Sequence, residues 1–222
     1  MIQFACNGST YEGYLARPAT GHGKGVIVLQ EWWGLVGHIK SVVDRFAQAG
    51  FCALAPDLYG GKSTQEPDEA ASLFMALNIG ETEKILRCAI QRLQEEEATV
   101  GDKVGVVGFC MGGQLSLFAA ATNPEQIGAC VDFYGVHPNV HPPFEDLQAP
   151  VLGIFAEHDD YASPAAVGAL SEKLTELGKA HEFKNFSGVG HAFFNDDRPA
   201  VFNADAAEAA WEKTIHFLSH NL

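Results

Sequence analysis

Nowhere does the chain carry an apolar run approaching the roughly 20 residues that span a bilayer. Its first residues, Met1-Ile2-Gln3-Phe4, lack the basic stretch and the long apolar stretch of a signal peptide. Neither membrane insertion nor export is therefore expected. Basic side chains are scarce too: 14 Lys and Arg stand against 28 Asp and Glu, a formal net charge of −14 at pH 7. Such a surface repels phosphate backbones and anionic lipids, so neither nucleic acid nor a membrane is expected as a partner. Cysteines at C-x-x-C spacing are missing. The five cysteines, Cys6, Cys52, Cys88, Cys110 and Cys130, are odd in number and scattered. That argues against a zinc ribbon or a disulfide framework and for a reducing cytoplasm. Repeats, low-complexity tracts and linkers are absent as well. What remains is 222 residues, 47% hydrophobic and 19% charged, which suits one α/β domain over residues 1–222, folding as a monomer.

What is present is an alternation of short apolar runs with longer helical patterns. Gly25-Val26-Ile27-Val28-Leu29, Val104-Gly105-Val106-Val107-Gly108 and Val151-Leu152-Gly153-Ile154-Phe155 read as strands buried on both faces of a parallel sheet. Phe51 to Ala55 and Ala129 to Phe133 read as further strands, and His181 to Phe186, alternating polar and apolar, as one nearer an edge. Ile2–Cys6 and Tyr11–Ala16 suggest an antiparallel hairpin at the sheet edge. Helices are expected over 39–49, 67–78, 81–96, 164–177 and about 206–218, several ending at a glycine or opening on a proline. This alternation predicts a mostly parallel central sheet with helices on both faces.

Between a buried strand and an apolar helical run lies Gly108-Phe109-Cys110-Met111-Gly112. A nucleophile on a sharp strand-to-helix turn needs this spacing, because side chains at the flanking glycines would collide with the backbone. The turn would set the sulfur at a helix N-terminus, where dipole and free amides favour an anion. A small buried cysteine in a glycine-rich turn is the plainer alternative; the flanking strand and helix favour the nucleophile. The other four cysteines sit in apolar runs and read as core or surface residues.

A thiol nucleophile needs a base, and the base an orienting group. In the α/β-hydrolase order of nucleophile, acid, histidine, the candidates downstream are Asp159 and His191, each just past a strand end where sites gather in open α/β sheets. Asp159 is preferred to Asp160 by its distance from the strand. The remaining histidines suggest no site. His137 and His141 lie among Pro138, Pro142 and Pro143, which deny them a helix; His216 and His220 have helical spacing but no nearby carboxylate. No metal and no cofactor is expected.

Four segments, Gln30-Glu31-Trp32-Trp33-Gly34, Ala55-Pro56-Asp57-Leu58-Tyr59, Gly108-Phe109-Cys110-Met111-Gly112-Gly113 and Gly190-His191-Ala192-Phe193, together resemble the dienelactone hydrolase (carboxymethylenebutenolidase) family over nearly the whole chain. The resemblance implies an α/β-hydrolase fold without a large cap domain, and a triad of Cys110, His191 and Asp159 acting on a small-molecule ester or lactone. It also implies an oxyanion hole from the backbone amides of Trp32 and Met111. Glu31 would contact the thiol at rest and swing away when substrate arrives. Trp33, Tyr134 and Phe193, with Trp32, would line an aromatic pocket. Two arginines with which the family binds its substrate's carboxylate are missing at the matching positions, Gly61 and Asn195, with Lys62 and Arg198 the nearest cations in sequence. A substrate other than dienelactone is expected. Two other functions share the scaffold: a cysteine amidase or peptidase, and a non-catalytic binding protein. The first would need an extended groove and the second would be expected to have lost a triad residue.

Overall fold

The computed structural model describes residues 1–6 and 8–222. Its strands are β1 (Ile2–Cys6), β2 (Ser9–Ala16), β3 (Gly23–Leu29), β4 (Cys52–Pro56), β5 (Thr99–Phe109), β6 (Ile127–Phe133), β7 (Val151–His158) and β8 (His181–Gly190). Its helices are α1 (Gly37–Gln48), α2 (Pro67–Met75), α3 (Ile79–Gln94), α4 (Met111–Thr122), α5 (Pro164–Glu176) and α6 (Ala204–Asn221). All eight strands form one sheet in the order β1-β2-β4-β3-β5-β6-β7-β8. The β1–β2 and β2–β4 pairings are antiparallel, and the rest are parallel.

The unbroken apolar strands follow from cores on both faces of this sheet. Along β3, Ile27 and Leu29 pack with Leu86, Leu93 and Leu115 of α3 and α4, while Val26 and Val28 pack with Val42, Val43 and Phe46 of α1. On β5, Val104 and Val106 face the first core and Val107 and Phe109 the second. Successive strand residues point to opposite faces, so every position must be apolar when both faces are covered. The expected mostly parallel sheet with helices on both faces is thus the observed architecture, and no large cap domain covers it. No helix among the described residues is long and apolar enough to cross a membrane.

Two expectations need correction. The expected helix over 67–78 stops at Met75, because Asn78 starts a new helix instead: its side chain accepts a hydrogen bond from the Glu81 amide at 3.0 Å. That N-cap satisfies a donor the first turn of α3 would otherwise leave unpaired. The second correction concerns the cysteines. Cys6 and Cys88 form a disulfide that ties β1 to α3 across 82 residues of sequence. Both had read as separate residues of apolar runs, and the inference of a reducing compartment from unpaired thiols loses its premise. Cys52, Cys110 and Cys130 are free.

Candidate active site

Cys110 joins β5 to α4 with φ at +55°, a backbone region that costs an L-residue energy and persists only when the surroundings enforce it. Here the enforcement is visible. The Cys110 amide donates to the Phe133 carbonyl at 2.9 Å, and its own carbonyl accepts from Gly113 and Val136. A Cβ on Gly108 would lie 1.8 Å from the Gly112 carbonyl oxygen, and one on Gly112 would lie 2.5 Å from that of Leu29. Only glycine fits either place, so the spacing read from the sequence has its steric reason. Met111 opens α4, so its amide is among the first-turn donors without an intrahelical acceptor.

β7 and β8 end beside this turn. Just past β7, Asp159 is almost wholly buried; its Oδ1 accepts from the amides of Tyr161 at 2.8 Å and Ala162 at 2.9 Å. Its Oδ2 meets Nδ1 of His191 at 2.8 Å, just past β8. Asp160 makes no such contact and stays exposed at the rim of the cavity. Burial alone would disfavour a charged His191; its hydrogen bond to Asp159, with the sulfur of Cys110 and the charges of both, outweighs this and pushes the imidazole up to about 10. A buried carboxylate beside an imidazole favours the imidazolium.

One cavity of about 700 Å³ is lined by Glu31, Trp32, Trp33, Cys110 and His191. Tyr134 and Phe193 do not line it, contrary to expectation. Both are fully buried: Tyr134 stands edge-on behind the His191 ring with centroids 5.0 Å apart, and Phe193 packs against Tyr134 and Phe186. Tyr134 has positive φ (+41°), and its hydroxyl has no hydrogen-bond partner among the described residues. The remaining aromatic lining comes from residues with no motif in the sequence: Phe74 of α2, Tyr161 and Phe202. Glu31 is 2% exposed; its Oε2 accepts a hydrogen bond from the side-chain amide of Asn195 at 2.6 Å, while Oε1 has no partner among the described residues. Asn195, not the sulfur, is thus the hydrogen-bond partner of Glu31.

Residues 11–222 match the model of the dienelactone hydrolase family. The chain belongs to that family. Protein usf of Aquifex pyrophilus is 38% identical over 228 residues, spanning 100% of this chain and 98% of its own length. A protein of Aquifex aeolicus (strain VF5) whose name proposes a carboxymethylenebutenolidase is 34% identical over 223 residues, spanning 98% of this chain and 96% of its own. Among solved structures, one from Klebsiella pneumoniae whose title proposes a dienelactone hydrolase superposes with a TM-score of 0.88 at 25% identity, over 98% of this chain and 96% of that one.

Family membership makes the protein a dienelactone hydrolase-like hydrolase, and the family's substrates are small esters or lactones. Against the dienelactone hydrolase pattern, Gly61 has open space around it and serves a turn, its amide bonded to Oδ2 of Asp57 at 2.6 Å. Asn195 takes up Glu31. The two nearby cations part company. Lys62 lines a separate cavity of about 760 Å³ between the hairpin and the α2–α3 region, which holds none of the candidate catalytic residues. Arg198 lines the cavity of Cys110, its guanidinium 5.0 Å from the centroid of the Trp33 ring.

Proposed function

We propose that the protein hydrolyses a small carboxylic ester or lactone through a thioester on Cys110, with His191 as proton carrier and Asp159 as its orienting partner. The supporting observation is a single cavity lined both by a positive-φ cysteine at a helix start and by a histidine whose other nitrogen is held by a buried carboxylate. With Nδ1 donating to Asp159, Nε2 is the nitrogen left to exchange a proton with the sulfur, and at neutral pH it holds that proton in the imidazolium.

The sulfur attacks the carbonyl carbon, and the oxyanion that forms accepts hydrogen bonds from the Trp32 and Met111 amides, each worth about 3–4 kcal/mol by analogy with tested oxyanion holes. The C–O bond then breaks, and the imidazolium gives its proton to the leaving alkoxide; in a lactone this alcohol stays tethered to the acyl group. Water, deprotonated by His191, attacks the thioester. The C–S bond breaks and the sulfur is reprotonated. Glu31 lines the same cavity as Cys110, and a carboxylate there would disfavour a thiolate. Its role in this scheme is to restrain the sulfur until substrate displaces it, with Asn195 fixing its resting position.

Wild type and Cys110→Ala are to be compared on p-nitrophenyl acetate, a neutral lactone and a dienelactone. Wild type is expected to turn over the neutral compounds and to show an acyl adduct on Cys110 by rapid-quench mass spectrometry. The alanine variant should fall to the uncatalysed rate while melting normally. Retained hydrolysis in that variant would overturn the nucleophile assignment. Full protection of Cys110 from iodoacetamide without any turnover would favour a binding protein.

A further inference from the structure

Five large hydrophobic side chains are exposed among the described residues: Met1, Met75, Val100, Tyr161 and Phe202. The two aromatic ones, Tyr161 at 64% and Phe202 at 36%, both stand at the mouth of the cavity that holds Cys110. Exposed apolar surface gathered at one place, around a cavity, marks a binding surface more often than scattered single residues do. The gathering here has a structural cause. Tyr161 is held by the hydrogen bond of its amide to Asp159, which puts its ring 5.0 Å from the His191 ring. Phe202 is held by the hydrogen bond of its amide to the Arg198 carbonyl. Trp33, Phe74 and Val201 continue the apolar wall inward. The backbone that builds the site thus carries both residues to the mouth, and neither ring is buried in the core.

Resting on the ester-hydrolase reading above, we infer that the mouth is an aromatic subsite, and that the substrates are esters carrying an aryl group on the acyl or the alcohol side. Tyr161 and Phe202 are the specificity-determining residues. A ring entering between them gains edge-to-face contacts and removes their exposed faces from water.

The test compares methyl phenylacetate and benzyl acetate with methyl acetate, by pH-stat, for wild type, Phe202→Ala and Tyr161→Ala. Wild type should prefer an aryl ester at least tenfold in kcat/KM, and each substitution should lower that preference several-fold, the scale of a lost apolar contact. An equal preference in wild type and both variants overturns the subsite. Binding of 2-naphthol to Cys110→Ala, followed by tryptophan fluorescence, separates the two claims. Binding that weakens on Phe202→Ala keeps the subsite even if no ester is turned over, which would sink the hydrolase reading alone. Ester turnover with no aryl preference and no such binding sinks the subsite alone.

Discussion

Asp132 shows what a single side chain under the Cys110 turn can do to stability. It is wholly buried at the end of β6, and its Oδ1 would lie 2.3 Å from a Cβ on Gly113 and 2.2 Å from one on Gly135. The carboxyl is thus wedged between the first turn of α4 and the chain leaving β6. Burial raises it from the ordinary 3.8 to about 7, against a smaller pull downwards from the Gly135 amide. The folded state therefore holds a proton that the unfolded chain has given up across the window from about 4 to 7. Stability from this group is fully present below that window and is lost as pH rises through it. A carboxamide in its place cannot titrate, so the melting temperature of Asp132→Asn relative to wild type should climb between pH 5 and pH 8. A difference that stays constant would mean Asp132 is ionised throughout. Nothing in Val131-Asp132-Phe133 announces this, because an aspartate in a strand reads the same whether it meets water or two glycines. The turn that carries Cys110 was legible for the opposite reason: Gly108 and Gly112 are demanded by clashes that follow from the turn itself. Tyr134 and Phe193 were misread because an aromatic ring lining a cavity and one packed behind it look identical in sequence.

Between elements, the Cys6–Cys88 disulfide ties the β1–β2 hairpin to α3 covalently. β1 is an edge strand with the hairpin partner β2 as its sole neighbour in the sheet, and it presents an unpaired backbone edge. Only Phe4 of its five residues is buried, so packing alone holds it weakly. Cys88, by contrast, sits on the buried face of α3 beside Ile85 and Leu86. The cross-link closes a loop of 82 residues, and its loss should lower stability by about 2–4 kcal/mol, with unfolded-state entropy the usual account. Urea unfolding of wild type against Cys88→Ser, each with and without reductant, measures this. Wild type should lose stability on reduction and the serine variant should not; equal midpoints in wild type with and without reductant would mean the thiols are unpaired. The strands and helices themselves were legible, since β3, β5 and β7 must be apolar on both faces and α1, α3 and α6 on one. The pairing of two cysteines 82 residues apart was not. It depends on the sheet order that sets β1 two strands from β4, against which α3 also packs.

Across the whole molecule, charge and site pull in different directions. The net charge of −14 makes a field that repels anions at long range and fades within about 10 Å at 0.1 M salt. The cavity itself is lined by the carboxyl groups of Glu31 and Asp160, and Arg198 is the only Lys or Arg lining it among the described residues. Its guanidinium lies over Trp33 and forms no ion pair among the described residues. Arg198 and the protonated His191 can contact an anionic group that has already arrived, but they cannot reverse the field of a chain with twice as many acids as bases. An anionic ester should therefore arrive slowly at low salt and faster as salt screens the protein. Expressed as kcat/KM, hydrolysis of a mono-aryl succinate should rise between 10 and 200 mM sodium chloride, while that of the matching neutral aryl acetate should stay flat. The comparison removes any general effect of salt on the enzyme, because both esters undergo the same bond cleavage. A fall for the succinate would mean that Arg198 governs the approach and that the sequence total misleads about the field at the mouth. The total was legible from composition alone; where its few positive charges stand was not, since nothing in the sequence says which cavity Lys62 or Arg198 will line.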